Sequence, residues 1–187
     1  MRRNRILAVR HDAGTDCLGG VIISYLSPLL AIIVGIVHAA LAPVIVVGGV
    51  KPNLVLVAVV LVTALFGLLP GITWAFTAGL TANLLVGDPL GSVPLAMLLV
   101  AVLVAGGARV LGRVGWVYPI AATFGGSIVA DVVSLGVSQL VTDAAATAIP
   151  VDVIVAAATL NAVIAGLLLY PARLVAARYA VDEAPAW

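Results

Sequence analysis

GLTANLLVGDPLG, Gly79 to Gly91, is the stretch on which the fold turns. It is the end of an apolar helix with a polar residue, Asn83, inside it, then a hard stop at Gly87-Asp88-Pro89 and a fresh start at Gly91. Glycine and proline in this order punctuate helices, because proline lacks the N–H a continuing helix needs and glycine accepts backbone conformations other residues avoid. On both sides of the stop the chain is almost wholly apolar, so the stretch reads as a tight connection between two membrane helices.

Composition sets the same solvent for the whole chain. Of 187 residues, 64% are hydrophobic and 9% charged, with a mean hydropathy of +1.28. A soluble domain is about half apolar and about a quarter charged, so there is too little polar surface here to face water. The net charge of +1 gives no basis for a nucleic-acid partner. The single cysteine, Cys17, excludes an internal disulfide and a multi-cysteine metal site. A hydrocarbon core of about 30 Å calls for about 20 apolar residues per helix, and lipid offers no partners to an unpaired backbone. The runs do not alternate polar and apolar residues as barrel strands do. The expected spans are 19–42, 54–69, 71–87, 92–108, 114–141 and 150–171, with the second and third separated by a turn at Pro70-Gly71. The basic segment 1–18 precedes a full-length apolar run and reads as a retained terminus rather than a cleaved signal.

Charge placement gives the orientation. Eight of the nine basic residues lie in three groups: Arg2, Arg3, Arg5 and Arg10; Arg109 and Arg113; Arg173 and Arg178. The positive-inside rule assigns all three groups to the cytoplasm, which requires an even number of crossings between successive groups. Four crossings and then two satisfy it. The expectation is an all-α integral membrane protein, a six-helix bundle in one domain (19–171), with both termini, 1–18 and 172–187, cytoplasmic.

Within this frame few residues carry chemistry. Ala31, Gly35 and Ala39 form a small-residue stripe on the first helix, as Ala75, Gly79, Asn83 and Gly87 do on the third. Such stripes let helices approach closely, within the bundle or against a partner. Asn83 is thereby turned toward protein, where an interhelical hydrogen bond is the simplest role. His38 near the end of the first helix reads as a packing residue, with a proton or ligand role as the alternative. Asp131 is the only charge well inside a span, and should face the bundle as a neutral, hydrogen-bonded group, since no cation is expected at its depth. FTAGLTANLL (76–85) and FGGSIVADVV (124–133) align without gaps, pairing Asn83 with Asp131, either as a weak internal repeat or as coincidence in a low-diversity sequence. No nucleophile elbow, phosphate-binding loop, metal-ligand cluster or cofactor motif is present, so the sequence gives no catalytic, metal or cofactor-binding residue.

Gly79-Leu80-x-x-Asn83-Leu84-Leu85-x-Gly87-Asp88-Pro89-Leu90-Gly91, with Pro52-Asn53-Leu54 before the preceding helix, resembles the core segment of the rod shape-determining MreD family. That family typically reads G-L-x-x-D-L-L-x-G-x-P-L-G there and P-D-L upstream; Asn53 and Asn83 stand where it commonly has Asp. The resemblance covers about residues 50 to 110. It implies a non-catalytic scaffold of the bacterial cytoplasmic membrane, multi-pass, without cofactor or small-molecule substrate. Its implied partners are the bilayer and an MreC-like protein, and through it MreB and a RodA-type glycosyltransferase with its transpeptidase. Gly79, Asn83, Gly87, Pro89 and Gly91, together with Ala31, Gly35 and Ala39, would be packing and assembly positions. The competing reading is a substrate-binding S-component of an energy-coupling-factor transporter, also a six-helix membrane protein. In that case Asn83, His38 and Asp131 would line an outward-facing pocket. Three Trp, four Tyr and three Phe are few for a specific small-molecule site.

Overall fold

A computed structural model of the chain describes residues 26–41, 44–46, 49–87, 89–110, 115–142 and 151–180. The basic terminus with Cys17, the expected start of the first span, Asp88, Arg113 and the acidic tail lie outside the described residues. Among the described residues the fold is all-helical: α1 (Leu26–Leu41), α2 (Leu54–Phe66), α3 (Leu68–Val86), α4 (Ser92–Val110), α5 (Val117–Thr142) and α6 (Val151–Ala180). Helices α3 to α6 are long and apolar enough to cross a membrane, whereas α1 and α2 are shorter. The chain is a membrane protein on the length and apolarity of these helices.

The bundle is arranged around α2. This helix packs against α3, α4, α5 and α6, and Val55, Leu56, Val57, Val59, Val60, Leu61, Thr63 and Ala64 are all buried. A helix that is apolar on every side belongs in a core. Its 13 residues reach only about 20 Å at about 1.5 Å per residue, less than a bilayer core. Enclosed by four neighbours, it has no need to match the thickness of lipid. Around it, large apolar side chains point outward, among them Leu29, Ile33 and Ile36 on α1 and Leu95, Leu99 and Leu103 on α4. Ala96, Met97, Val100, Ala101 and Val104 form the buried stripe of α4. A second apolar contact, Val57 and Leu61 with Ala165 and Leu169, joins α2 to α6.

Two boundaries differ from the sequence expectation. The α2–α3 break falls at Gly67, not at Pro70-Gly71. Gly67 has φ +98°, and its N–H donates to the Thr63 carbonyl at 3.0 Å. Only glycine adopts that conformation readily, whereas Pro70 sits in the first turn of α3, where its missing N–H would have had no helical partner. The last helix does not end near Pro171 but runs through it to Ala180. Membrane helices tolerate an internal proline when neighbours or local adjustment compensate the lost bond.

Small residues set the interhelical distances. A Cβ on Gly71 would lie 2.2 Å from Thr63 Oγ1, and one on Gly79 would lie 3.0 Å from Pro94 Cα. Thr63 is buried and its hydroxyl donates to the Val59 carbonyl at 2.6 Å, so it has little freedom to yield. Gly125, by contrast, faces open space. Gly71→Ala and Gly79→Ala are each expected to destabilise the bundle by about 1–3 kcal/mol, the usual cost of overpacking. Gly125→Ala should leave stability unchanged or raise it slightly. Thermal unfolding of the three variants in the same detergent checks this, and equal midpoints would contradict the packing described.

Candidate functional site: the polar end of the bundle

The end of α1, the start of α2, the end of α3, the middle of α5 and the first part of α6 meet at one end of the bundle around a cavity. Three amides organise the backbone there, Asn83 and Asn161 buried and Asn53 half-buried. Asn83 on α3 is fully buried. Its Nδ2 donates to the Pro89 carbonyl at 3.3 Å and its Oδ1 accepts the Gly91 N–H at 2.6 Å. Between them Gly87, at φ +79°, ends α3, with its N–H on the Asn83 carbonyl at 3.3 Å, and Gly91, at φ +90°, turns the chain into α4. Both of these side-chain bonds run to the loop that follows α3, so Asn83 closes the turn between α3 and α4. Gly79, one turn earlier, brings α3 onto Pro94 of α4. Thus Gly79, Asn83, Gly87, Pro89 and Gly91 form one connected device: close approach, helix stop and turn closure.

The second and third amides are Asn53 and Asn161. The Asn53 side chain caps α2 by accepting the Leu56 N–H at 3.0 Å. Its backbone N–H donates to Asn161 Oδ1 at 2.8 Å, and Asn161 Nδ2 donates to Ser127 Oγ at 2.6 Å. Asn161 and Ser127 are both buried. One side chain from α6 therefore holds the entry of α2 and the middle of α5. A Ser, Asn or Asp before a helix satisfies an orphan N–H of the first turn, and here the cap is itself anchored. Sequence reasoning singled out neither Asn161 nor Ser127, although an Asn inside a long apolar run is the signal that drew attention to Asn83.

The first-helix stripe is buried or partly buried. Ala31 is fully buried, and a Cβ on Gly35 would lie 2.9 Å from the Ala78 carbonyl and 2.8 Å from Thr81 Cβ on α3. The same two helices are tied lower down by Trp74 Nε1 donating to Ser27 Oγ at 2.8 Å. His38 and Ala39 line the cavity, which measures about 440 Å³ and also meets Lys51, Asn53, Asp131 and Asn161. His38 and Asp131 are thus brought together, while Asn83 is not part of the lining. Nor does Asp131 find the hydrogen-bond partner expected of it among the described residues; it opens onto the cavity instead of a neighbouring helix. His38 Nδ1 is buried without a partner there.

The echo between 76–85 and 124–133 holds for packing and fails for chemistry. Ala78, Gly79 and Ala82 are buried, as are Gly126, Ser127 and Ala130. The polar positions diverge, since Asn83 closes a turn and Asp131 faces a cavity.

At the opposite end Arg173 lies 4.8 Å from the centroid of Trp116, which stacks on Tyr170 with centroids 6.4 Å apart. Arg173 also donates to the Gly115 carbonyl, and the Tyr118 hydroxyl donates to the Val104 carbonyl. Amphipathic aromatic side chains and arginine in this combination suit a membrane–water interface. Among the described residues no group of three or more His, Cys, Asp or Glu could hold a metal ion. No protein-family model, curated protein or solved structure matches the chain.

Asn83→Leu removes both turn-closing bonds and is expected to cost about 1–3 kcal/mol, two buried bonds at the modest values found in membranes. Asn83→Asp keeps an acceptor for the Gly91 N–H and should recover more than half of that loss. Chemical unfolding of both variants in mixed micelles measures the difference; equal losses would show that the Gly91 bond is not what matters.

Proposed function

We propose that the chain is a non-catalytic scaffold of the bacterial cell-elongation machinery, seated in the cytoplasmic membrane as six spans with both termini in the cytoplasm. In this reading it holds the membrane segment of an MreC-like partner, and through it bears on MreB and on a RodA-type glycosyltransferase with its transpeptidase. The observation that carries the reading is the use made of the Gly79–Gly91 segment, the part of the chain that resembles MreD. Its buried amide, Asn83, bonds to Pro89 and Gly91 and stays out of the cavity. Its glycines serve close approach and turning. A segment built this way supports packing and assembly rather than turnover. α1 and α4 each offer lipid or a partner helix an exposed apolar face. Both short helices fit six spans as well: α2 is enclosed by protein, and the apolar run ahead of α1 extends it by sequence.

One observation favours the second reading, a substrate-binding component of an energy-coupling-factor transporter. The cavity with His38, Lys51 and Asp131 in its wall is what such a component would need. The scaffold reading is preferred because the described residues lining the cavity include no Phe, Tyr or Trp and because the resemblance lies in the segment that avoids it.

Affinity purification from native membranes after mild cross-linking separates the two. The scaffold reading expects an MreC-like single-span protein, identified by mass spectrometry, with recovery reduced at least fivefold by Asn83→Leu. Recovery of a paired ATPase module without an MreC-like protein would overturn it.

A further inference from the structure

Lys51 and Asp131 line one cavity of about 440 Å³, yet they form no ion pair with each other among the described residues. Opposite charges left apart in water lose little, but near hydrocarbon each loses solvation that only a close partner restores. The oxygens of the neighbouring amides are already engaged. Asn161 uses its oxygen on the Asn53 N–H and its nitrogen on Ser127, and Asn53 uses its oxygen on the Leu56 N–H. What remains for an occupant is an ammonium on one wall, a carboxylate on another and the Asn53 amide nitrogen, with His38 near the end of α1 and its Nδ1 without a partner among the described residues. The apolar part of the wall includes Leu85 and Val86, which are 57% and 50% exposed. The cavity is therefore continuous with the apolar outer surface of the bundle, and its volume suits a small polar group.

We propose that this cavity binds a zwitterionic headgroup of the aminoethyl phosphate type, its ammonium on Asp131 and its phosphate on Lys51. A primary ammonium supplies up to three N–H donors to a carboxylate, whereas a choline headgroup supplies none and a glycerol headgroup has no cation. Leu85 and Val86 give the acyl chains of an ethanolamine phospholipid a path out along α3, and free phosphoethanolamine carries the same polar chemistry. The inference does not rest on the scaffold reading and stands with or without an MreC-like partner.

Native mass spectrometry of the full chain, offered phosphatidylethanolamine, phosphatidylcholine and phosphatidylglycerol of matched acyl chains, tests it. Phosphatidylethanolamine is expected to be retained at least tenfold over the other two. Lys51→Met and Asp131→Asn should each reduce that preference at least fivefold, with thermal midpoints confirming that the variants fold. Displacement of the lipid by millimolar phosphoethanolamine would assign the site to the soluble molecule as well, and resistance would assign it to the lipid alone. Equal retention of the three lipids, or a preference unchanged in both folded variants, overturns the proposal.

Discussion

Asn161 makes the bond on which the polar end of this bundle depends. In lipid a backbone N–H without a partner has no water to turn to, and the N–H groups at helix entries are the ones left over. Asn161 accepts from the Asn53 backbone and donates to Ser127, joining α6 to the start of α2 and to α5. Because α2 is the central helix, packed against α3, α4, α5 and α6, fixing its entry fixes the register of the others around it. Asn83 performs the equivalent task for the α3–α4 turn. Two buried amides thus convert loosely constrained loop backbone into part of the rigid bundle.

The rest follows from helices that pack through small residues. Gly35 against α3, Gly71 against Thr63, Gly79 against Pro94 and Gly126 against Val100 are all places where a methyl group would intrude. Without a hydrophobic force between helices in lipid, such close contact is the main source of association. The fold is tight where these residues meet, and the cavity beside Asp131 is lined by α1, α3, α5 and α6 around the entry of α2. The Asn83 turn stays out of the cavity wall, whereas Asn53 and Asn161 share that wall with Lys51 and Asp131.

Much of the architecture was legible in the sequence. Apolar runs located the helices, and Gly87-Pro89-Gly91 located the α3–α4 turn, because lipid and proline act locally. The Gly67 break was missed because Pro70 is the louder signal, and a proline in a first turn ends nothing. Pro171 misled for a related reason, since a long membrane helix absorbs one lost bond. Asn83 was placed inside protein, but its partners were not, as the same pattern serves an interhelical bond or a turn closure. Asn161 and Ser127 escaped notice since their pairing spans 34 residues and no local period records it. Asp131 was expected to find a partner in the bundle; it lines a cavity formed by residues from α1, α3, α5, α6 and the α2 entry, a long-range arrangement that no local sequence pattern encodes.

Buried amide side chains hold loop backbone at this end of the bundle. Hydrogen exchange of the Gly91 and Asn53 amides, followed by NMR in lipid nanodiscs, tests it most directly. Both residues precede the helices they lead into, yet their N–H groups bond to Asn83 and Asn161. Protection comparable to that of mid-helix amides in α2 is the predicted result. Exchange at the rate of an unstructured loop at both positions would contradict it.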